Sequence, residues 1–265
     1  MAPVITGLSP VQGHDGVTMT ITGTGLGATV VVNFGCRSLT PTSVTSVTVT
    51  CVIPQLPAGQ NNVSVTTTAG QTSNSLPFFY IGPPAVTAVS PSRGPAAAAA
   101  LSIYGSRLLT TTEVNFGNIG PAVDLVPASD TALTVVAPAH PPFAPGVCTD
   151  TVDVIVSTAG GISGSPGPSS NQYTYYNAPT VTSLSPSSAT PGSDVTVFGT
   201  CLLDIISATL TPTAGGNPYQ ATFVSISPTQ VNTVLPLTLP HGTYAVQITT
   251  PGGQSPITPN GQFTV

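Results

Sequence analysis

The chain has 265 residues, only 4% of them charged, and its net charge of −5 comes from eight acids set against three arginines and no lysine. That balance excludes nucleic acid as a partner, because neutralising phosphate needs clustered Lys and Arg, and it argues equally against an anionic membrane surface. A hydrophobic fraction of 40% excludes disorder, and 29 Pro and 27 Gly spread along the chain suit short strands joined by turns.

In chain order, the first predicted strand runs from Ile5 to Pro10 and ends in Ser-Pro. A second runs into Ile21-Thr22-Gly23, with Leu26 three residues on, and a third ends in Val32-Asn33-Phe34-Gly35. A strand from Val49 to Pro54 follows, then the alternating Val63-Ser64-Val65, which stops at Ala69-Gly70, and a last strand bearing Phe78 and Tyr80. The succession then begins again. Val86 to Pro91, Ile103-Tyr104-Gly105, Leu108, Val114 to Gly117, Leu133 to Pro138, Val152 to Val156, Ala159-Gly160-Gly161, and Tyr173 with Tyr175 form a second copy. Val181 to Pro186, Val197-Phe198-Gly199, Leu202, Val231 to Pro236, Tyr244 to Ile248, Pro251-Gly252-Gly253 and Phe263 form a third, in which Ala208-Thr209-Leu210-Thr211 replaces the Val-Asn-Phe-Gly segment. The position of Ala96 to Ala100 in this repeat makes it strand despite its helix propensity. A period of about 80 to 95 residues fits one seven-stranded sandwich per copy.

The order Ser-Pro, Ile-Thr-Gly-x-Gly-Leu, Val-x-Phe-Gly, a strand ending in Pro, and Val-x-Val-x-Thr before Gly resembles the IPT/TIG family over essentially the whole chain. The resemblance implies an all-β fold of three tandem immunoglobulin-like β-sandwich domains, 1–82, 83–177 and 178–265. The family occurs in plexin-type receptors, Rel-type transcription factors, beside some starch-acting enzymes and in bacterial surface proteins. It supports adhesion, spacing and assembly, and it shares no catalytic residues, so no enzyme and no cofactor is expected. The DNA-binding relatives depend on basic loops that this chain lacks. Gly82-Pro83-Pro84 and Asn177-Ala178-Pro179 are short, stiff linkers, which suggest a semi-rigid rod.

Immunoglobulin topology also places the four cysteines. Cys36 after the third strand and Cys51 in the strand from Val49 to Pro54 fall near the same end of domain one, and a similar Cys in extracellular relatives supports a Cys36–Cys51 bridge. Cys148 at the far end of domain two and Cys201 at the near end of domain three suggest an interdomain bridge. Two disulfides would imply an oxidising or extracellular setting.

Other candidates are weighed against plainer readings. Gly23-Thr24-Gly25-Leu26-Gly27 lacks the Lys of a phosphate loop and is read as a turn. His14, His140 and His241 fall in different domains, so no shared metal site is expected. Asp150, Asp153 and Asp204 lie near the second junction, where an interdomain cation would want them, but they are read as solvated acids. Tyr173, Tyr175 and Tyr176 are the one aromatic cluster and the possible ligand surface, with alternation turning the first two inward and leaving Tyr176 beside the linker. Asn62-Val63-Ser64 has glycosylation spacing on a strand. No stretch approaches the roughly 18 apolar residues of a membrane span. The first twenty residues carry no basic group or apolar block and give no signal peptide; a mature or recombinant form, or a virion part, would account for that. A surface poor in charge tolerates dense packing against its own copies, so the favoured reading is an extracellular structural or adhesive protein that assembles with itself. The alternatives are a virion or host-recognition protein and a monomeric module for surface polysaccharide.

Overall fold

A computed structural model describes residues 2–164 and 171–265; Met1 and residues 165–170 lie outside it. The described residues are mostly strands and turns, with a short 3-10 helix at Pro259–Gly261. Buried residues gather into three separate cores, one around Ile21, Phe34 and Phe78, one around Ile103, Phe116 and Tyr173, and one around Val197, Leu210 and Phe263. In domain one, Val4–Ser9, Thr18–Thr24, Thr48–Val52 and Ser43–Val44 form one sheet in that order. Gln12–Gly13, Leu76–Tyr80, Gly59–Thr67, Thr29–Phe34 and Arg37–Leu39 form the facing one. Alternation along these strands places Met19, Ile21, Val63 and Val65 inside and Thr18, Thr20 and Thr22 outside. Domain two repeats the arrangement.

The repeated Gly that closes each second strand has one physical cause. The first strand of every domain carries a register shift, between Ile5 and Gly7, Val86 and Ala88, and Val181 and Ser183. Its backbone there presses onto the neighbouring strand, so a Cβ on Gly23, Gly105 or Gly199 would lie 2.1, 2.0 or 1.9 Å from the carbonyl oxygen of Val4, Ala85 or Thr180. Leu26, Leu108 and Leu202 then drop into the cores, each with its backbone N–H donating across to Ser46, Asp130 or Pro228. After the shared Ser-Pro, the chain in all three domains crosses to the other layer and pairs in parallel with the last strand or bridges to it.

Domain three departs where its sequence departs. Gly35 and Gly117 hold positive φ (53° and 48°) and turn the third strand of their domains sharply into a short partner. The third copy has no glycine there. Ser207–Pro212 instead turns through a longer loop into the nine-residue strand Tyr219–Ser227, which pairs with Ser207–Pro212 at one end and Gln230–Val234 at the other. The two layers of this domain are thereby joined into one continuous eight-stranded sheet.

One expectation changes. Only Ala99 and Ala100 of the alanine run are strand, because the chain is still crossing between sheets at residues 96–98. Edge strands are also guarded without lysine. Arg37–Leu39, Ser43–Val44 and Gly120–Pro121 are two or three residues long. Val123–Ser129 carries Pro127 and two register shifts.

Candidate functional site

The chain's most specialised chemistry lies where its domains meet. At the second junction, Cys148 leaves the long loop before Thr149–Thr158 and Cys201 follows Asp194–Thr200. Their sulfurs are bonded at 2.14 Å with Cα atoms 5.1 Å apart, a covalent tie between domains two and three. Beside it, Arg93 Nη1 of domain two lies 3.0 Å from Asp204 Oδ2 of domain three, and the Tyr176 hydroxyl donates to the same oxygen. Burial, then the bond to Asp204, raises the Tyr176 phenol above its ordinary value, against the pull of Arg93. Asn177 donates its backbone N–H to the Cys148 carbonyl at 2.9 Å. Its own carbonyl rests on Gly252, where a Cβ would lie 2.2 Å away.

The first junction uses the same places with other residues. The Gly82 carbonyl rests on Gly160, where a Cβ would lie 2.1 Å away. Arg107 Nε donates to the Pro83 carbonyl at 2.6 Å. Between the domains opens a cleft of about 520 Å³ lined by His14, Asp15, Pro83, Ser157, Thr158 and Ile162, floored by Gly160 and Gly161. The buried Tyr80 donates its hydroxyl to Asp15 Oδ1 at 2.7 Å.

Arg107 and Cys201 occupy one position of the repeat, the residue before the buried leucine. Domain one has Gly25 there with φ 68°, whereas Arg107 and Cys201 hold φ 58° and 54°. The left-handed region costs an L-residue roughly 1–2 kcal/mol; Cys201 is bonded to the preceding domain and Arg107 to the linker that leads into its own. Gly160 and Gly252 likewise share a position, occupied in domain one by Ala69.

The other proposed sites fare differently. Cys36 and Cys51 are free thiols. Cys51 faces the core opposite Met19, while Cys36 stands exposed in the turn between two strands of the other sheet, so proximity along the topology does not bring the sulfurs together. Tyr173 and Tyr175 are fully buried beside Phe116 and Tyr176 is nearly so, which removes all three as a ligand platform. Asp150 lies 3.0 Å from His140 Nε2, Asp153 accepts from Gln172, and Asp204 is held by Arg93 and Tyr176. Each acid has its own partner, and among the described residues no group of three or more His, Cys, Asp or Glu gathers around a metal position. No described helix is long and apolar enough to cross a membrane. Sequence reading missed Arg93, Arg107, Gly160 and Gly252; the second and the last two carried a signal, since each breaks the pattern of the first copy.

The model of the IPT/TIG domain matches three times, over residues 3–80, 84–175 and 179–265. The chain belongs to the IPT/TIG domain family. No curated protein matches this IPT/TIG chain. Among solved structures, one described as a complex with xylogluco-oligosaccharide is 15% identical with a TM-score of 0.44, over 99% of this chain and 60% of that one. The plexin A4 full extracellular region is 17% identical at TM-score 0.40, over 99% of this chain and 24% of that one. The Bacteroides ovatus mixed-linkage glucan utilization locus protein SGBP-B, in complex with a mixed-linkage heptasaccharide, is 20% identical at TM-score 0.30, over 96% and 64%. The IPT/TIG chain therefore spans less than two thirds of the length of each.

Proposed function

We propose that the chain is a non-enzymatic, extracellular structural or adhesive protein that holds three sandwiches at set angles and packs through them into an ordered surface assembly. The observation that carries this reading is the interdomain disulfide between Cys148 and Cys201. It ties two domains with separate cores, so its effect falls on their mutual orientation. It also suits an oxidising compartment. Arg93, Tyr176 and Asp204 reinforce the same junction. The assembly part rests on the surface. The outward face of the first sheet of domain one presents Thr18, Thr20, Thr22, Thr48, Thr50 and Val52, without a charge among them. Such a face can meet another copy with little charge desolvation.

The test is negative-stain electron microscopy of the native chain over a concentration series, paired with small-angle scattering under oxidising and reducing conditions. Filaments, sheets or rings support assembly; isolated three-lobed particles at every concentration sink it. A scattering profile unchanged by reduction would remove the disulfide's orienting role.

A further inference from the structure

We propose that the cleft between domains one and two binds a neutral, hydroxyl-rich ligand, a saccharide. Interdomain clefts are common ligand sites, and this one has a built polar wall. Asp15 Oδ1 is occupied by the Tyr80 hydroxyl at 2.7 Å, which fixes the carboxylate and leaves Oδ2 as a second acceptor. His14 is fixed too, with Nδ1 2.6 Å from the Asp15 carbonyl and its ring over Gly161, where a Cβ would stand 3.4 Å from Nδ1. Ser157 and Thr158 add hydroxyls, and Pro83 with the exposed Ile162 adds the apolar edge that the C–H face of a sugar ring would meet.

Charge selects the class. Arg107, the arginine of this joint, is outside the lining and donates Nε to the Pro83 carbonyl, whereas the Asp15 carboxylate faces the cleft directly and disfavours an anionic ligand. One carboxylate is too few for a calcium site. The imidazole, carboxylate and hydroxyls of His14, Asp15, Ser157 and Thr158 in the lining disfavour a purely apolar guest. A ligand with many donors and acceptors and no net charge fits what remains. The site also differs from the tyrosine cluster, which is buried.

The test is isothermal titration of the full chain with cellohexaose, xylohexaose, mannohexaose and maltohexaose, with oligogalacturonate as the anionic probe. At least one neutral hexasaccharide should bind with a dissociation constant between about 10 μM and 1 mM. Asp15→Asn and His14→Ala should each weaken it about tenfold or more. Asp124→Asn, on the edge strand of domain two, should not. Ile162→Ala, at an exposed position, keeps the test valid should Asp15→Asn misfold. The imidazole resonances give an independent readout, because ligand should shift His14 and leave His140 and His241 in place. No binding by any neutral probe at about 5 mM, binding indifferent to the cleft variants, equal binding of oligogalacturonate, or shifts at His140 or His241 would overturn the proposal. The proposal is independent of the structural role, since flat titrations would leave the locked second junction untouched.

Discussion

Burial in the core of domain one pushes the Cys51 thiol up to about 11, whereas Cys36 stands exposed after the Gly35 turn. Thiolate is the reactive form, so a maleimide should label one site in the native chain, Cys36, and a second only after denaturation. Labelling of neither thiol in denaturant without reductant would instead reveal a bridge. Buried phenols give a pH prediction. Burial raises Tyr173 and Tyr175; burial aided by Asp15 raises Tyr80, and burial aided by Asp204 raises Tyr176, all from the ordinary 10.0. Each favours its neutral form in the fold. The stability this brings is fully present below pH 10 and is lost as pH rises through the raised values. Phenolate absorbance in an alkaline titration should lag behind that of the urea-unfolded chain and appear together with unfolding. At this scale the sequence was a partial guide. Alternation along the last strand turned Tyr173 and Tyr175 inward correctly, but it could not place Tyr176, whose burial comes from a neighbouring domain. Topology put Cys36 and Cys51 at one end of a sandwich, yet which face each side chain takes decides bonding.

Elements carry the junction logic. The glycine of each penultimate hairpin in domains two and three exists because a carbonyl from the preceding linker occupies the space of its Cβ. Gly160→Ala should therefore weaken docking of domain one on domain two by about 1–3 kcal/mol, seen as faster proteolysis at Gly82-Pro83-Pro84. Gly164→Ala, where a Cβ meets nothing within 4 Å, is the control and should change little. Arg107→Gly should relieve a left-handed residue while breaking the bond to Pro83, so linker proteolysis should quicken with domain two no less stable to heat. Strand order and the glycines that close each second strand were legible in the repeat, because a period of two and a recurring Ile/Val-x-Gly leave few alternatives. The merged sheet of domain three was not. The missing Val-Asn-Phe-Gly marked the spot, but a lost turn glycine does not say how far the chain runs before it returns.

At the scale of the whole molecule, three separate cores joined by short linkers make orientation the quantity most open to change. The Arg93–Asp204 pair is about half exposed on both sides and contributes under about 1 kcal/mol. The disulfide closes a span of 53 residues, which by loop closure is worth roughly 4 kcal/mol. Reduction, or Cys148→Ser with Cys201→Ser, should lower the unfolding temperature of domains two and three and leave domain one unchanged, as read by calorimetry with and without reductant. A shift in domain one alone would place the bond's influence elsewhere.

The tie between Cys148 and Cys201 also has a direction in time. Cys148 reaches its place when domain two is complete, but its partner belongs to the next domain, 53 residues later. During synthesis from the N-terminus, the thiols of Cys36, Cys51 and Cys148 all emerge before Cys201, the mate of Cys148, exists. Burial of Cys51 withdraws one of them early. The native bond of Cys148 can close only once domain three has docked, so it records that the last domain has arrived in register with the one before it.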